Sequence, residues 1–409
     1  MFSELLRTHI GPEMHEAPGL RPGVCRTQAN TLCTLCHASR TEYTAEVRAR
    51  NAALAEFWRT LGTGAALAPL VGSPAGRHYR TVSKRKAFHV RDEVRLGLIE
   101  GEHGRRPLPV RACGIEPDLH AQVYARVEEM IHAPTARRLA RLLRYIIVKG
   151  TYAELVAIIS VEEIDGAAVH EANALSRGLT GACPAVRGVL LYEDGGDERY
   201  YLGARGAAPR RSARKLFGDT DIRLTFGGRR FRCPPLSFSQ VNASLVDALI
   251  AEAGAMLNLA ATDDMYDLYC GYGLFTLTAG AGARRATGIE RSADAVEAAV
   301  RNAGARGASN ARFLRADITE HALGAVLARM RGRDAVLLDP PRRGTAPGVI
   351  ECIAAAGPAR AVHMFCSLDV MPAELERWRR ARYGVVRAVP FDMFPGTDET
   401  EIMVLLERG

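Results

Sequence analysis

Two groups of residues in this chain are equipped for chemistry, and the first is its thiols. Nine cysteines occur in 409 residues. In a large chain with no secretory start, thiols in this number favour metal binding or catalysis over a disulfide scaffold. Cys25, Cys33 and Cys36 are spaced C-x7-C-x2-C, with Cys113 well downstream. The close pair offers two thiolates from one turn, and four thiolates suit a [4Fe–4S] cluster or a structural zinc. Spacing alone leaves both open. A fifth thiol, Cys366, follows the apolar run Ala361–Phe365 and precedes a helical pattern. A helix N-terminus lowers a thiol pKa from its free value of about 8.5 and so favours a nucleophile. A lone cysteine at an apolar strand is otherwise an ordinary core residue. Cys183, Cys233, Cys270 and Cys352 sit singly in apolar or loop contexts.

The second group is a set of carboxylates and glycines at strand ends. The run Asp267-Leu268-Tyr269-Cys270-Gly271-Tyr272-Gly273 ends an apolar strand in a glycine turn, where the backbone can approach a ligand closely. It lacks the full G-x-G-x-x-G of dinucleotide binders, which weakens a nicotinamide reading. Glu290 ends the next strand, about 20 residues on, where a carboxylate accepts hydrogen bonds from ribose hydroxyls. Asp317, after a third strand, is placed to lie near an adenine. Asp339-Pro340-Pro341-Arg342-Arg343-Gly344 ends a fourth strand. Its two prolines stiffen the segment and remove two amide donors, which suits holding a carboxylate toward a flat base.

These residues need elements to position them. Short strands and helices alternate from about residue 263 to 409, which implies a doubly wound parallel sheet with its ligand site at the carboxyl ends of the strands. In that reading Met265–Leu268, Ala286–Glu290, Ala311–Asp317, Asp334–Leu338, Ala361–Phe365, Val385–Pro390 and Ile402–Leu406 are strands, and a helix follows the glycine turn. From about 79 to 235, the β-rich runs Tyr145–Lys149, Leu155–Ser160, Gly188–Tyr192 and Arg199–Gly203 and the helical pattern Leu119–Ile131 indicate a mixed, mostly antiparallel domain. Before it lie the clustered cysteines, a polar helical stretch from Thr44 to Leu61, and a Gly/Pro/Ser segment, Val71–Gly76, that reads as a linker. The expected division is 1–78, 79–235 and 236–409. The fold class is α/β: a C-terminal Rossmann-like domain, a mixed α+β central domain and a small N-terminal cysteine-rich region.

Bulk properties narrow the class. No apolar run reaches 18 residues, so no membrane span is expected, and a cytoplasmic location follows from the missing signal pattern. The net charge is +8. It is concentrated in Arg137, Arg138, Arg141, Arg144 and Lys149, and again in Arg205, Arg210, Arg211, Arg214, Lys215, Arg229, Arg230 and Arg232. Such stretches are solvated faces or phosphate contacts. Lys84, Arg85 and Lys86 add to the basic middle zone, a candidate platform for a polyanionic partner.

In family order, Phe238-Ser239-Gln240-Val241-Asn242, the Asp267–Gly273 loop, Gly288-Ile289-Glu290, Asp339–Gly344, Cys366 and Phe391-Asp392-Met393-Phe394-Pro395-Gly396-Thr397 resemble the RNA uracil-5-methyltransferases. The resemblance covers roughly 170 residues. It implies S-adenosylmethionine (SAM) as cofactor, with Gln240, Tyr269, Glu290 and Asp339 in its site, and Asp339 also beside the target base. It implies Cys366 as a nucleophile toward uracil carbon 6 and Glu401 as the base that removes the carbon-5 proton. This chain departs from the family's Ser-Cys-Asn-Pro, with Phe365-Cys366-Ser367-Leu368, and has Glu399 where a histidine is common.

Several members of the family carry a [4Fe–4S] cluster on three early cysteines and a later fourth. By that resemblance Cys25, Cys33, Cys36 and Cys113 are its ligands, with zinc as the alternative. The implied partner is structured RNA: 23S rRNA is favoured, because the chain leaves no room for the extra N-terminal barrel of some relatives, and tRNA is the alternative. No obligate protein partner is evident. A catalytically impaired RNA-binding or ribosome-assembly factor is the reading from another class, supported by the altered neighbours of Cys366.

Overall fold

The computed structural model describes residues 1–14, 24–27, 30–90, 93–100, 106–194 and 212–409. The expected strand Arg199–Gly203 and the basic residues Arg205, Arg210 and Arg211 lie outside the described residues. Helices Phe2–Ile10 (α1) and Tyr43–Thr60 (α2) come first. A seven-stranded sheet follows, from Val82–Val90 (β1), Glu93–Glu100 (β2), Arg106–Leu108 (β3), Leu143–Gly150 (β4), Leu155–Val161 (β5), Val186–Glu193 (β6) and Ala213–Gly218 (β7). Its order is β3-β2-β1-β4-β5-β6-β7. Every pair is antiparallel except β5–β6, as the mixed pattern implied. Helices Asp118–Ile131 (α3), Arg137–Leu142 (α4) and Gly166–Ala182 (α5) cover one face with Val123, Val127, Leu139, Leu175 and Leu179.

The hairpin Ile222–Phe226 (β8) and Arg229–Cys233 (β9) turns at Gly227 and Gly228, both at positive φ, and leads into the second sheet. Its strands are Asp264–Leu268 (β10), Arg285–Glu290 (β11), Ala311–Arg315 (β12), Ala335–Leu338 (β13), Arg360–Phe365 (β14), Tyr383–Phe391 (β15) and Glu401–Arg408 (β16), in order β12-β11-β10-β13-β14-β16-β15. β10 to β14 run parallel, and β16 and β15 are antiparallel additions. Alternate residues face opposite cores. Tyr266, Leu268, Val336 and Leu338 face one, while Met265, Ala335 and Leu337 face the other. Helices Val246–Leu257 (α6) and Ala293–Gly304 (α7) pack on the second face. Glu320–Leu327 (α8), Val349–Ala356 (α9) and Met371–Arg380 (α10) pack on the first. A sheet buried on both faces explains strands that read as unbroken apolar runs.

Three features differ from expectation. The segment after the glycine turn, 271–278, is a series of turns rather than a helix. Gly271 and Gly273 are held at positive φ, and Tyr272, Leu274, Phe275 and Leu277 are all buried, so no polar helix face exists. The Val71–Gly76 stretch is not a free linker. Leu67 and Val71 form parallel bridges to Ala388 and Phe391, and the Val71 amide donates to the Pro390 carbonyl at 2.8 Å. That strap covers β15, whose outer backbone groups an edge strand would otherwise expose. The early helix α2 joins the core of the second sheet, where Ala53, Leu54, Phe57 and Trp58 lie with Ile353, Trp378 and Val404.

Candidate active site

β11 and β12 lie on one side of β10, and β13 on the other, so the build of the sheet reverses between β10 and β13. Ligands of open α/β sheets bind in the crevice at that point. The two loops that border it are the glycine loop after Leu268 and the Asp339-Pro340-Pro341 segment after Leu338. They are stitched together by the Asp339 amide, which donates to the Leu268 carbonyl at 3.4 Å.

The glycine loop holds an unusual backbone. Tyr269, with a full side chain, sits at φ +67°, a conformation that persists only where surrounding structure enforces it and that concentrates at functional sites. A Cβ at Gly271 would meet nothing, so the loop opens onto free space there. Glu290 supports it from β11. One carboxylate oxygen accepts from the Gly271 amide at 3.3 Å, and the other from the Ser292 amide at 2.8 Å. Each oxygen retains a lone pair for a ribose hydroxyl. Behind the loop, buried Asp267 receives the Thr276 hydroxyl, and burial pushes its carboxyl up to about 7. Asp317 is exposed just beyond β12, on the same rim.

The Asp339 segment is held by α10. Gly344 closes a turn at φ +78°, and Glu374 accepts from the Thr345 amide at 2.6 Å. A Cβ at Gly344 would stand 2.8 Å from a Glu374 oxygen, so the motif needs a glycine there. Gln240 reaches Asp339 from a second strap, residues 234–242 after β9, its amide nitrogen 3.5 Å from a carboxylate oxygen. That strap is fastened to the central sheet by Lys149, which is buried and donates to the carbonyls of Pro235 at 2.9 Å and Ser237 at 2.6 Å. Lys149 is therefore a structural fastener and not a phosphate contact. Arg85 likewise leaves the RNA-facing set: it is buried in a two-pronged pair with Glu116 at 2.7 Å. Arg138 is occupied by Asp165 at 2.6 Å. Phe238 in the same strap is 67% exposed, an aromatic face two residues from Gln240.

Cys366 stands at the end of β14, partly buried, with its thiol 3.5 Å from the Pro340 carbonyl. Asp339 and Glu401 both bear on it electrostatically. Burial, then the charges of Asp339 and Glu401, push the thiol well above its ordinary value, and Arg342 opposes them. The expected depression by a helix N-terminus does not arise, because α10 begins only at Met371. Burial also raises the carboxyls of Asp339 and Glu401, and Glu401 is raised further by Asp339. Arg342 pairs with Glu399 at 2.7 Å at the rim. Tyr269, Gln240, Glu290, Asp339, Cys366 and Glu401 thus come together along one crevice.

The N-terminal cysteines also converge. A parallel bridge joins Val24 to Ala112, and the Gly114 amide donates to the Cys25 sulfur at 3.2 Å. The backbone at Leu35 and Ala38 acts to lower the Cys33 and Cys36 thiols, against the effect of burial. Burial raises all four thiols, and Cys25, Cys36 and Cys113 each feel neighbouring cysteines. Among the described residues, no three Cys, His, Asp or Glu side chains are grouped to hold a single metal ion.

What the sequence reading missed is the support behind Glu401. Helix α2, read only as polar and helical, buries Glu46 and Arg50 completely against residues 396–400. The one available signal was a Glu–Arg pair four residues apart on a helix, which is ordinarily a surface feature.

Comparison with known proteins shows what this chain is similar to in sequence and fold. Residues 220–409 match the family model described as tRNA (Uracil-5-)-methyltransferase. The chain is 30% identical over 352 residues to the 23S rRNA (uracil(1939)-C(5))-methyltransferase RlmD of Edwardsiella ictaluri, covering 85% of this chain and 73% of that one. It is 25% identical over 384 residues to an uncharacterised RNA methyltransferase of Thermotoga maritima, covering 92% and 83%. In fold it resembles the Pyrococcus abyssi tRNA (uracil-54, C5)-methyltransferase solved with S-adenosyl-L-homocysteine, with a TM-score of 0.66 at 18% identity, covering 92% of this chain and 87% of that one.

Proposed function

The chain belongs to the RNA uracil-5-methyltransferase family, and on that premise we propose that it methylates carbon 5 of a uridine in 23S rRNA through a covalent bond to Cys366. The observation that carries the reading is the meeting of one thiol and two raised carboxyls, Cys366, Asp339 and Glu401, beside the glycine loop. The rRNA target is supported by the long match to an rRNA-modifying relative. The proposed division of labour gives methyl transfer to residues 236–409, RNA binding to 79–235 and the cysteine site to 1–78 with Cys113.

Uracil carbon 5 is a weak nucleophile. Addition of the Cys366 thiolate to carbon 6 forms a C–S bond and pushes the ring electrons into an enolate, so that carbon 5 becomes nucleophilic. SAM, when bound, supplies the electrophilic methyl group. Gln240, Tyr269, Glu290 and Asp339 would hold it: the open face at Gly271 and the remaining lone pairs of Glu290 fit an adenosyl group. Glu401 then takes the carbon-5 proton, the C5–C6 double bond reforms, and the C–S bond breaks to return the thiolate. Exposed Phe238 offers a face on which a base removed from its stack can rest.

The mutual approach of Cys25, Cys33, Cys36 and Cys113, with the Gly114 amide on the Cys25 sulfur, supports a [4Fe–4S] cluster held by these four thiols, with zinc as the alternative. Its place is structural in this reading, since methyl transfer needs no electrons.

The test is trapping. RNA carrying 5-fluorouridine has no removable proton at carbon 5, so the enzyme should remain attached through denaturing electrophoresis in the presence of SAM. Cys366→Ala should form none. Absence of adduct with both proteins overturns the covalent reading.

A further inference from the structure

Among the described residues, no hydrogen bond or ion pair tethers the Glu401 side chain. It is 5% exposed, and one of its carboxylate oxygens is buried without a hydrogen-bond partner among the described residues. Its aim therefore depends on the backbone that delivers it. The residues just before it, 392–400, form no helix or strand.

That irregular loop is gripped from the far end of the chain. The Arg50 guanidinium donates to the Thr397 carbonyl at 2.7 Å, the Glu399 carbonyl at 2.8 Å and the Thr400 hydroxyl at 2.6 Å. It is itself held by Glu46 at 2.9 Å on the preceding turn of α2. Glu46 accepts from the Gly396 amide, and Arg77 steadies it at 3.0 Å. The Tyr79 hydroxyl donates to the Pro395 carbonyl at 3.0 Å. Gly396 lies at φ +84°, and a Cβ there would stand 2.5 Å from that of Ala38. The His37 amide donates to the Gly396 carbonyl at 2.9 Å, which ties the loop to the segment carrying Cys36.

Full burial of a guanidinium is expensive, and apolar packing would bury the helix as well. What the planar fork adds is direction: it fixes several acceptors along one short stretch of backbone at once. The last of them, Thr400, immediately precedes Glu401.

We propose that Arg50, backed by Glu46 and assisted by Tyr79, is a positioning residue for the Glu401 carboxylate in the proton-removal step. The proposal rests on Glu401 being the base. Arg50 does not touch substrate; it sets the path of residues 397–400 and thereby the angle at which the carboxylate meets the carbon-5 hydrogen.

A mispositioned base stalls the reaction after methyl transfer, because the C–S bond cannot break until the proton leaves. The test uses the full chain with total RNA lacking 5-methyluridine and methyl-labelled SAM. Turnover, RNA KM, SAM affinity and labelled protein–RNA adduct surviving denaturation are measured for Arg50→Lys, Tyr79→Phe and Glu401→Gln. Arg50→Lys should lose about tenfold or more in kcat, with both affinities kept within about twofold. Its labelled adduct should accumulate as in Glu401→Gln, and Tyr79→Phe should show the same pattern more weakly. A merely structural role would lower adduct along with turnover. Glu401→Gln without labelled adduct overturns the base assignment itself. Adduct in Glu401→Gln but none in either clamp variant overturns the positioning role alone. Should Arg50→Lys fold poorly, Tyr79→Phe, which keeps its ring, decides the matter.

Discussion

At Cys366 the surroundings work against ionisation in the free protein. Burial and two nearby carboxyls favour the protonated thiol, and only Arg342 among the charged neighbours acts the other way. Removing the Asp339 charge lowers the thiol pKa, because a neighbouring anion disfavours a thiolate. Asp339 is itself raised to about 7, so its charge is fully present only above that pH. In the free enzyme at pH 8.5, Asp339→Asn should therefore be alkylated at Cys366 about tenfold faster than wild type, equivalent to roughly one pKa unit. Iodoacetamide labelling followed by peptide mass spectrometry reads this directly, and an unchanged or slower rate refutes it. The thiol and the Asp-Pro-Pro segment were legible from residue order. The direction of the pKa was not, since it is set first by burial and then by the charges of Asp339 and Glu401, all of which only folding brings about.

Elements succeed here by holding three loops at the mouth of one crevice. α10 fixes the Asp339 segment through Glu374, β11 fixes the glycine loop through Glu290, and α2 fixes residues 396–400. The turn at Gly344 is the most exacting of these, since it combines positive φ with contact against Glu374. Gly344→Ala should cost about 1–3 kcal/mol through backbone strain. Calorimetry should show a lower Tm and kinetics a lower kcat, and a variant equal to wild type in both contradicts this account. The parallel strands were readable from their apolar runs. The strap at Val71–Gly76 was not, because a Gly/Pro/Ser composition says nothing of the edge strand that awaits it. The helix expected after Gly273 failed for a related reason: its residues are buried on every side, so tertiary packing sets their path.

Across the whole molecule, the cysteine site and the proposed base share one wall, with His37 touching Gly396 next to Cys36. Protein purified without oxygen should be brown and carry about four iron and four sulfide per chain, and Cys113→Ser should lose the colour. One zinc and no iron would replace the cluster with the alternative ion. No helix among the described residues is long and apolar enough to cross a membrane. The pairing of Arg50 with Thr400 has a further consequence in the order of synthesis. The two residues are 350 positions apart. At ribosomal speeds of about 5–20 residues per second, Arg50 emerges on the order of 20–70 s before its acceptors exist. During that interval α2 carries a buried-type Glu–Arg pair without its loop acceptors, and its apolar face has only α1, through Phe2 on Phe57, to pack against. A nascent chain therefore holds its glycine loop and its cysteines before it holds the proposed base, and the loop that Arg50 grips takes its path only with the final strand.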